Sequence, residues 1–501
     1  MKITLRSIVS GAALALVFAA PAVAQDFDKY VALGDSLTAG VEGNCVVERN
    51  QRASYPAVLA QQLGIEDFQQ PLVQELALSD PLVGNPCLGT VFIPPSTVTV
   101  GAISQMGAPL NLSLPRPYDN LGIAGARVRD LIDLIHGNPN GTTVEANAAL
   151  VLRNVPGSPF DGTNAVTQAN ILQPDLVSLW IGNNDVLGAA LAGVVVDGVT
   201  LTPVPAFTEK YDAVNAALGG AGRTLVGANI PDVTAIPFTT TIPGILINPA
   251  TRQPVIIDGH TVPLLGEGND AFPCTPVAPD QGCPLPAGTL VTLPASALLA
   301  QGIGVPTAAG GTGQPLPDGR FVPPVMLVSG VTLYPNEVAA IVARTNELNA
   351  VIAAEIAGAG GVLVDIHAIF EDISANGYHI GGLTLTRSFL TGGIFSADGF
   401  HPSSIGYTMI ADEFIKAMNS SLGTDIPRPD FSHVLFTPNV PAGGAALTDG
   451  GIWGYGMSTW KSLLETAAPA WGLAIQYPEA GRATPQDGGR GTRTVTRGDG
   501  D

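Results

Sequence analysis

Residues 30–37 read Tyr30-Val31-Ala32-Leu33-Gly34-Asp35-Ser36-Leu37. Four apolar residues closed by a glycine read as a strand buried on both faces. Gly34 to Leu37 then carry the chain from strand to helix. A serine at such a turn is a weak nucleophile alone. It needs a base, and the base needs a carboxylate to orient it. Both occur in Asp398-Gly399-Phe400-His401-Pro402, with His401 lying 401 − 36 = 365 positions beyond Ser36.

Outward from the first strand, apolar runs alternate with helical patterns. Helices are expected over Tyr55–Leu63, Arg127–Ile135, Ala206–Leu218, Glu337–Ile356 and Pro402–Met418. Strands are expected over Leu176–Ile181, Thr224–Ala228 and Gly361–Ile366. This alternation implies an α/β protein with parallel pairing and right-handed crossovers. Ligands of such sheets sit at the carboxyl ends of the strands. Ser36, Asn184 and the Asp398–His401 loop all fall at that end. Gly64–Pro117 is Pro- and Gly-rich and reads as an inserted loop. Between Pro231 and Pro335 the helix–strand rhythm stops, and short alternating pieces such as Arg252–Ile257 read as β-hairpins of an insertion overhanging the site. A structureless loop of that length would be unusual.

The start of the chain reads as an address. Lys2 and Arg6 precede an apolar run over Ile8–Ala20, and Ala22-Val23-Ala24 is a small-x-small cleavage site, so the mature chain begins at Gln25. No second apolar span follows, so the expectation is an exported protein, periplasmic or extracellular, with at most peripheral contact with lipid. Removing Lys2 and Arg6 leaves 22 − 2 = 20 basic against 42 acidic residues, a net charge of 20 − 42 = −22. That charge repels nucleic acid and anionic bilayers. The four cysteines suit disulfides in an exported chain. Of three possible connectivities, Cys45–Cys87 with Cys274–Cys283 is preferred, because each pair brackets one Pro/Gly-rich stretch.

Two further blocks lie between the ends: Asn120-x-Gly-x-x-Gly125 and Gly182-x-Asn184-Asp185. With Gly34-Asp35-Ser36-Leu37 and Asp398-x-x-His401-Pro402 they resemble, in order, the four blocks of the SGNH (GDSL) hydrolase family. The resemblance implies a three-layer α/β/α sandwich whose mainly parallel five-stranded sheet has flavodoxin-like order, here with a Pro/Gly-rich, partly β insertion. It implies a carboxylic ester hydrolase, an esterase or lipase. Ser36 would be the nucleophile, His401 the base and Asp398 its orienting partner. The oxyanion hole would comprise the backbone N–H groups of Ser36 and Gly125 and the side-chain amide of Asn184. Gly125 would lie at the mouth of the following helix, its missing Cβ admitting the oxyanion. The expected organisation is a signal peptide over 1–24, a hydrolase domain over 25–422 with insertions at about 64–117 and 236–332, a packed extension over 423–483 and a disordered tail over 484–501.

Taken singly, each block has a plainer reading. Ser36, Asn184 and Asp185 are good helix caps, and Asp398–Pro402 is a good turn into a helix. Capping does not explain four blocks in order. No metal or cofactor is called for, since there is no His-Glu-x-x-His, no Cys-x-x-Cys and no phosphate-cradling Gly-rich loop. His136, His260, His379 and His433 lack partners at metal spacing, and His367 reads as a satisfied core residue. Trp453, Trp460 and Trp471 form a late stripe at helical spacing, read as packing rather than a lipid-facing element. The expected partner is a small-molecule or lipid ester. Alternatives are a carbohydrate O-deacetylase using the same residues, or a secreted binding protein that kept the fold without the activity.

Overall fold

The computed structural model describes residues 27–432, apart from 79–85, 94–96, 221, 249–250 and 323–325. The expected signal segment, the tail, His433 and the tryptophan stripe lie outside the described residues. The centre is a five-stranded, all-parallel sheet built from β1 (Tyr30–Gly34), β2 (Asn120–Gly122), β3 (Leu176–Trp180), β4 (Thr224–Ala228) and β5 (Val362–Val364), in the order β5-β4-β3-β1-β2. Read from the other edge this is 2-1-3-4-5, the flavodoxin-like order. Register sets Leu33 beside both Leu121 and Leu179, and Leu179 beside Gly227.

Helices cover both faces because the chain reverses direction across the sheet. The step from β1 to β2 runs one way and the steps β2 to β3 to β4 to β5 run the other, so right-handed crossovers land on opposite sides. On one side α2 (Tyr55–Gln62) packs against the last helix, α7 (Ser404–Leu422). There the rings of Tyr55 and Phe414 stack at 4.8 Å, and Tyr55 meets Trp180 of β3 edge-on at 5.6 Å. On the other side α5 (Val204–Leu218) packs against α6 (Pro335–Gly358) and α3 (Ala165–Ile171). Phe207, Tyr211, Val214 and Leu218 make one buried stripe on α5; Ile341, Leu348, Ile352 and Ile356 make another on α6. Each such side chain contributes about 1.5–3 kcal/mol by leaving water.

Three expectations change. Residues 64–117 are not a loop: Val73–Ala77, Pro86–Ile93 and Thr97–Pro109 form a three-stranded antiparallel sheet, the last strand in the middle. The β-branched run Thr97-Val98-Thr99-Val100 carries that preference, which the surrounding Pro and Gly obscure. The helix expected over Arg127–Ile135 shrinks to Asp130–Asp133, because Asp130 Oδ2 accepts the Arg127 N–H at 2.8 Å and closes a turn where the helix would begin. The final helix starts at Ser404 rather than Pro402, since the Ser403 hydroxyl caps it by accepting the Gly406 N–H at 3.1 Å.

The segment before α6 holds short strand pairs, Leu265–Gly266 with Cys283–Pro284 and Leu290–Val291 with Thr332–Leu333. It has its own small core around Leu264, Leu285, Val291, Leu316 and Tyr334. Disulfides join Cys45 to Cys87 and Cys274 to Cys283. Among the described residues no helix is long and apolar enough to cross a membrane.

Candidate active site

β1 ends at Gly34, and the next turn opens α1 (Ser36–Ala39). Asp35, not Ser36, caps this helix: its Oδ1 accepts the Leu37 N–H at 2.9 Å. The Ser36 hydroxyl is therefore not spent on capping. The other Asp35 oxygen accepts from Asn183 Nδ2 at 2.9 Å. Burial pushes the Asp35 carboxyl up to about 6, against the pull of those two hydrogen bonds and of His401.

The Asp398 carboxylate collects four donors. Oδ1 accepts the backbone N–H groups of Phe400 at 3.0 Å and His401 at 2.9 Å. Oδ2 meets His401 Nδ1 at 2.9 Å and accepts the Asn44 N–H at 2.8 Å. Burial alone would raise this carboxyl; the charge of His401 and the hydrogen bonds outweigh it and hold it below the usual range. With Nδ1 engaged, Nε2 is the imidazole nitrogen left to take or give a proton. The Phe400 ring lies against His401 at 4.2 Å.

Asn184 lies in the first turn of α4 (Asn183–Ala192). Its Nδ2 donates to Ala126 O at 2.9 Å, leaving a second amide hydrogen unused by that contact. Asp185, fully buried and pushed up to about 6 by desolvation, accepts the Val128 N–H at 2.9 Å. The two side chains clamp the loop after β2 against α4. Gly125 sits on that loop at φ +85°, a left-handed value that favours glycine. A Cβ there would meet only Val144, at 3.9 Å, so the conformation requires glycine and crowding does not. With the helix after it starting at Asp130, Gly125 is not at a helix mouth.

Ser36, Asn183, Asn184 and His401 face one cleft. Apolar side chains form the rest of its wall, among them Leu187, Val233, Ile236, Phe370, Phe395 and Phe400. Asp398 stands behind His401, and Gly125 is not among the lining residues. Ser36 and His401 are 8% and 6% exposed, and no hydrogen bond joins their side chains. Catalytic contacts of this kind often close only when substrate binds. The arrangement can present a hydroxyl, a polarised imidazole and an amide donor to one acyl group in an apolar slot.

Sequence reasoning missed two contributors: Asn183 ties the serine turn to α4, and the Asn44 N–H reaches Asp398. Ile236, from the segment expected to overhang the site, lines the cleft. Phe238 meets Phe400 edge-on at 5.8 Å, and its N–H donates to Gly399 O at 2.8 Å. Only Asn44 carried a local signal, as half of a Gly-Asn turn. His367 is satisfied, with Nδ1 3.0 Å from Ile230 O. Among the described residues, no three His, Cys, Asp or Glu side chains are grouped to hold a metal ion.

No curated protein matches the chain. The GDSL-like Lipase/Acylhydrolase family matches residues 30–414, from the first residue of β1 into α7. That span holds the whole central sheet and every residue of the cleft, and the chain belongs to the GDSL-like lipase/acylhydrolase family, a family of esterase- and lipase-type acyl hydrolases.

Proposed function

We propose that the protein is an exported serine esterase for carboxylic esters with apolar acyl groups. Ser36 Oγ attacks the acyl carbonyl while His401 Nε2 takes its proton. The C–O bond to the alcohol then breaks, and that proton goes to the leaving oxygen. Water repeats the sequence on the acyl-enzyme, releasing the acid and restoring Ser36. Asp398 holds the imidazole tautomer. The Ser36 N–H group and Asn184 Nδ2, both on the cleft, receive the oxyanion. The observation that carries this reading is the His401–Asp398 pair, at 2.9 Å, beside Ser36 in one apolar cleft. Export is supported by the two disulfides and by the leader-like start; N-terminal sequencing of secreted protein should read from Gln25.

The test is hydrolysis of p-nitrophenyl esters from acetate to palmitate. In an apolar slot each added CH₂ that is buried is worth about 0.8 kcal/mol, roughly fourfold in kcat/KM. The profile should therefore climb from acetate until the slot is full. Ile236→Trp, which narrows the slot, should move the optimum to shorter chains. A maximum at acetate, unmoved by Ile236→Trp, would overturn the apolar-acyl assignment in favour of O-deacetylation.

Asn184→Ala should lower kcat by about 10²–10³-fold with KM nearly unchanged, since its spare amide hydrogen serves only the charged intermediate. An equal rise in KM instead would mean that Asn184 binds the ground state.

A further inference from the structure

Residues 41–45 read Val-Glu-Gly-Asn-Cys. Glu42 and Cys45 exchange backbone hydrogen bonds of 3.1 and 3.3 Å, and Gly43 and Asn44 sit at φ 60° and 63°. These are the marks of a tight turn with both central residues left-handed, which Gly and Asn tolerate best. Such a turn frees its two central N–H groups to face the same way. Gly43 N–H donates to Ser396 Oγ at 3.0 Å, and Asn44 N–H donates to Asp398 Oδ2 at 2.8 Å. The two preceding residues reach the same region. Val41 O accepts from Tyr407 OH at 2.6 Å, and Glu42 Oε2 accepts from Ser404 Oγ at 2.6 Å. Four consecutive residues thus hold the segment 396–407, which carries Asp398 and His401.

The turn is itself held from behind by the three-stranded sheet. Cys45 is bonded to Cys87, and Leu88 N–H donates to Gly43 O at 2.7 Å. The approach is close enough that a Cβ on Gly43 would lie 2.0 Å from Leu88 O. The other disulfide lies in a different region. Cys274–Cys283 spans nine positions of the insertion, beside the Leu265–Gly266 strand pair.

We propose that the Glu42–Cys45 turn is a positioning element for Asp398, the carboxylate that orients His401, and that the Cys45–Cys87 disulfide, by holding the turn, makes turnover depend on the oxidation state of this one bridge. The proposal rests on the serine-hydrolase reading above. Oδ2 of Asp398 carries both His401 Nδ1 and the Asn44 N–H, so the backbone donor fixes the oxygen that orients the imidazole. A donor to an ionised acceptor is about twice as strong as one between neutral groups. Once the turn is loose, Oδ2 loses its backbone donor and the carboxylate is held only through Oδ1, by the Phe400 and His401 N–H groups, so the oxygen facing the imidazole is less firmly fixed. Asn44 is not among the residues lining the cleft, so kcat should move and KM should not.

The test compares three variants of the full chain. Cys45→Ser with Cys87→Ser should lower kcat by about tenfold to a hundredfold with KM within twofold, the range expected when one charged hydrogen bond at a positioned group is lost. Cys274→Ser with Cys283→Ser should leave kcat within about twofold of the parent. An amide-to-ester replacement of the Asn44 N–H, made by incorporating the matching α-hydroxy acid, keeps both disulfides and should reproduce the fall in kcat. This third variant separates lost positioning from general loosening. The low-field NMR proton of the His401–Asp398 hydrogen bond supplies a readout independent of turnover. It should be sharp in the parent and in the Cys274/Cys283 variant, and broadened or lost in the other two. Unchanged kcat and an unchanged proton in the ester variant would overturn the proposal, as would equal losses in both disulfide variants. A parent with the low-field proton but without Ser36-dependent turnover would overturn the serine-hydrolase reading, while the proton in the ester variant would still decide the positioning role.

Discussion

Ser36→Ala is expected to remove about 10⁴–10⁶-fold of the ester turnover, leaving the residue of rate that binding and oxyanion donors alone supply. The change deletes one oxygen. Asp35 caps α1, so the helix start does not depend on the serine side chain, and the variant should unfold within a degree or two of the parent. KM should change little, because the slot that binds the acyl group is built from other side chains. Burst kinetics with a p-nitrophenyl ester and labelling by a fluorophosphonate check both points. Turnover kept within tenfold of the parent, or labelling at another residue, would remove Ser36 from the mechanism.

The second large effect is expected at Asp398. Asp398→Asn should lower kcat by about 10⁴-fold, because an amide offers His401 Nδ1 a donor where an acceptor is needed and selects the wrong tautomer. The substitution also costs stability. If the new oxygen keeps the Phe400 and His401 N–H groups, the new NH₂ faces the Asn44 N–H, donor against donor. A buried mismatch of this kind costs about 1–3 kcal/mol. The sign of the pH dependence follows from the depressed carboxyl. A carboxyl held lower in the folded state than in the unfolded chain stabilises the fold fully above its unfolded value, near 4. The stabilisation is lost as pH falls through the folded value. Denaturation by urea from pH 7 down to pH 3 should therefore show the parent losing its advantage over Asp398→Asn on the acid side. An advantage that stays constant across that range would mean the carboxylate is not stabilised by these donors.

Much of the fold could be read locally. A strand buried on both faces reads as an uninterrupted apolar run, so Tyr30–Leu33, Leu176–Ile181 and Thr224–Ala228 stood out, and all three match the structure to within one residue. Helix stripes on Ala206–Leu218 and Glu337–Ile356 were equally plain, because 3.6-residue spacing survives an Ala-rich sequence. Where composition and pattern conflicted, composition misled. Pro and Gly around 64–117 concealed three paired strands, and apolar residues after Gly125 suggested a helix that a side-chain-closed turn pre-empts. At the candidate site, Ser36, Asn184 and His401 meet in one cleft and Asp398 backs the histidine, whereas Gly125 stays off the lining.

By itself, then, the sequence determined the alternation of strand and helix, hence a parallel sheet with its loops gathered at one end, and the identity of the chemical groups on those loops. These are properties of neighbouring residues, set by backbone dihedrals and by the period of apolar burial. Tertiary structure alone decided which groups touch. The Asn44 N–H meets Asp398 across 398 − 44 = 354 positions, Asn183 meets Asp35 across 183 − 35 = 148, and Phe238 of the insertion walls the turn that carries His401. No local pattern encodes such contacts. They arise only when loops distant along the chain are brought to the same strand ends, where buried donors and acceptors must find one another because water is no longer there to satisfy them.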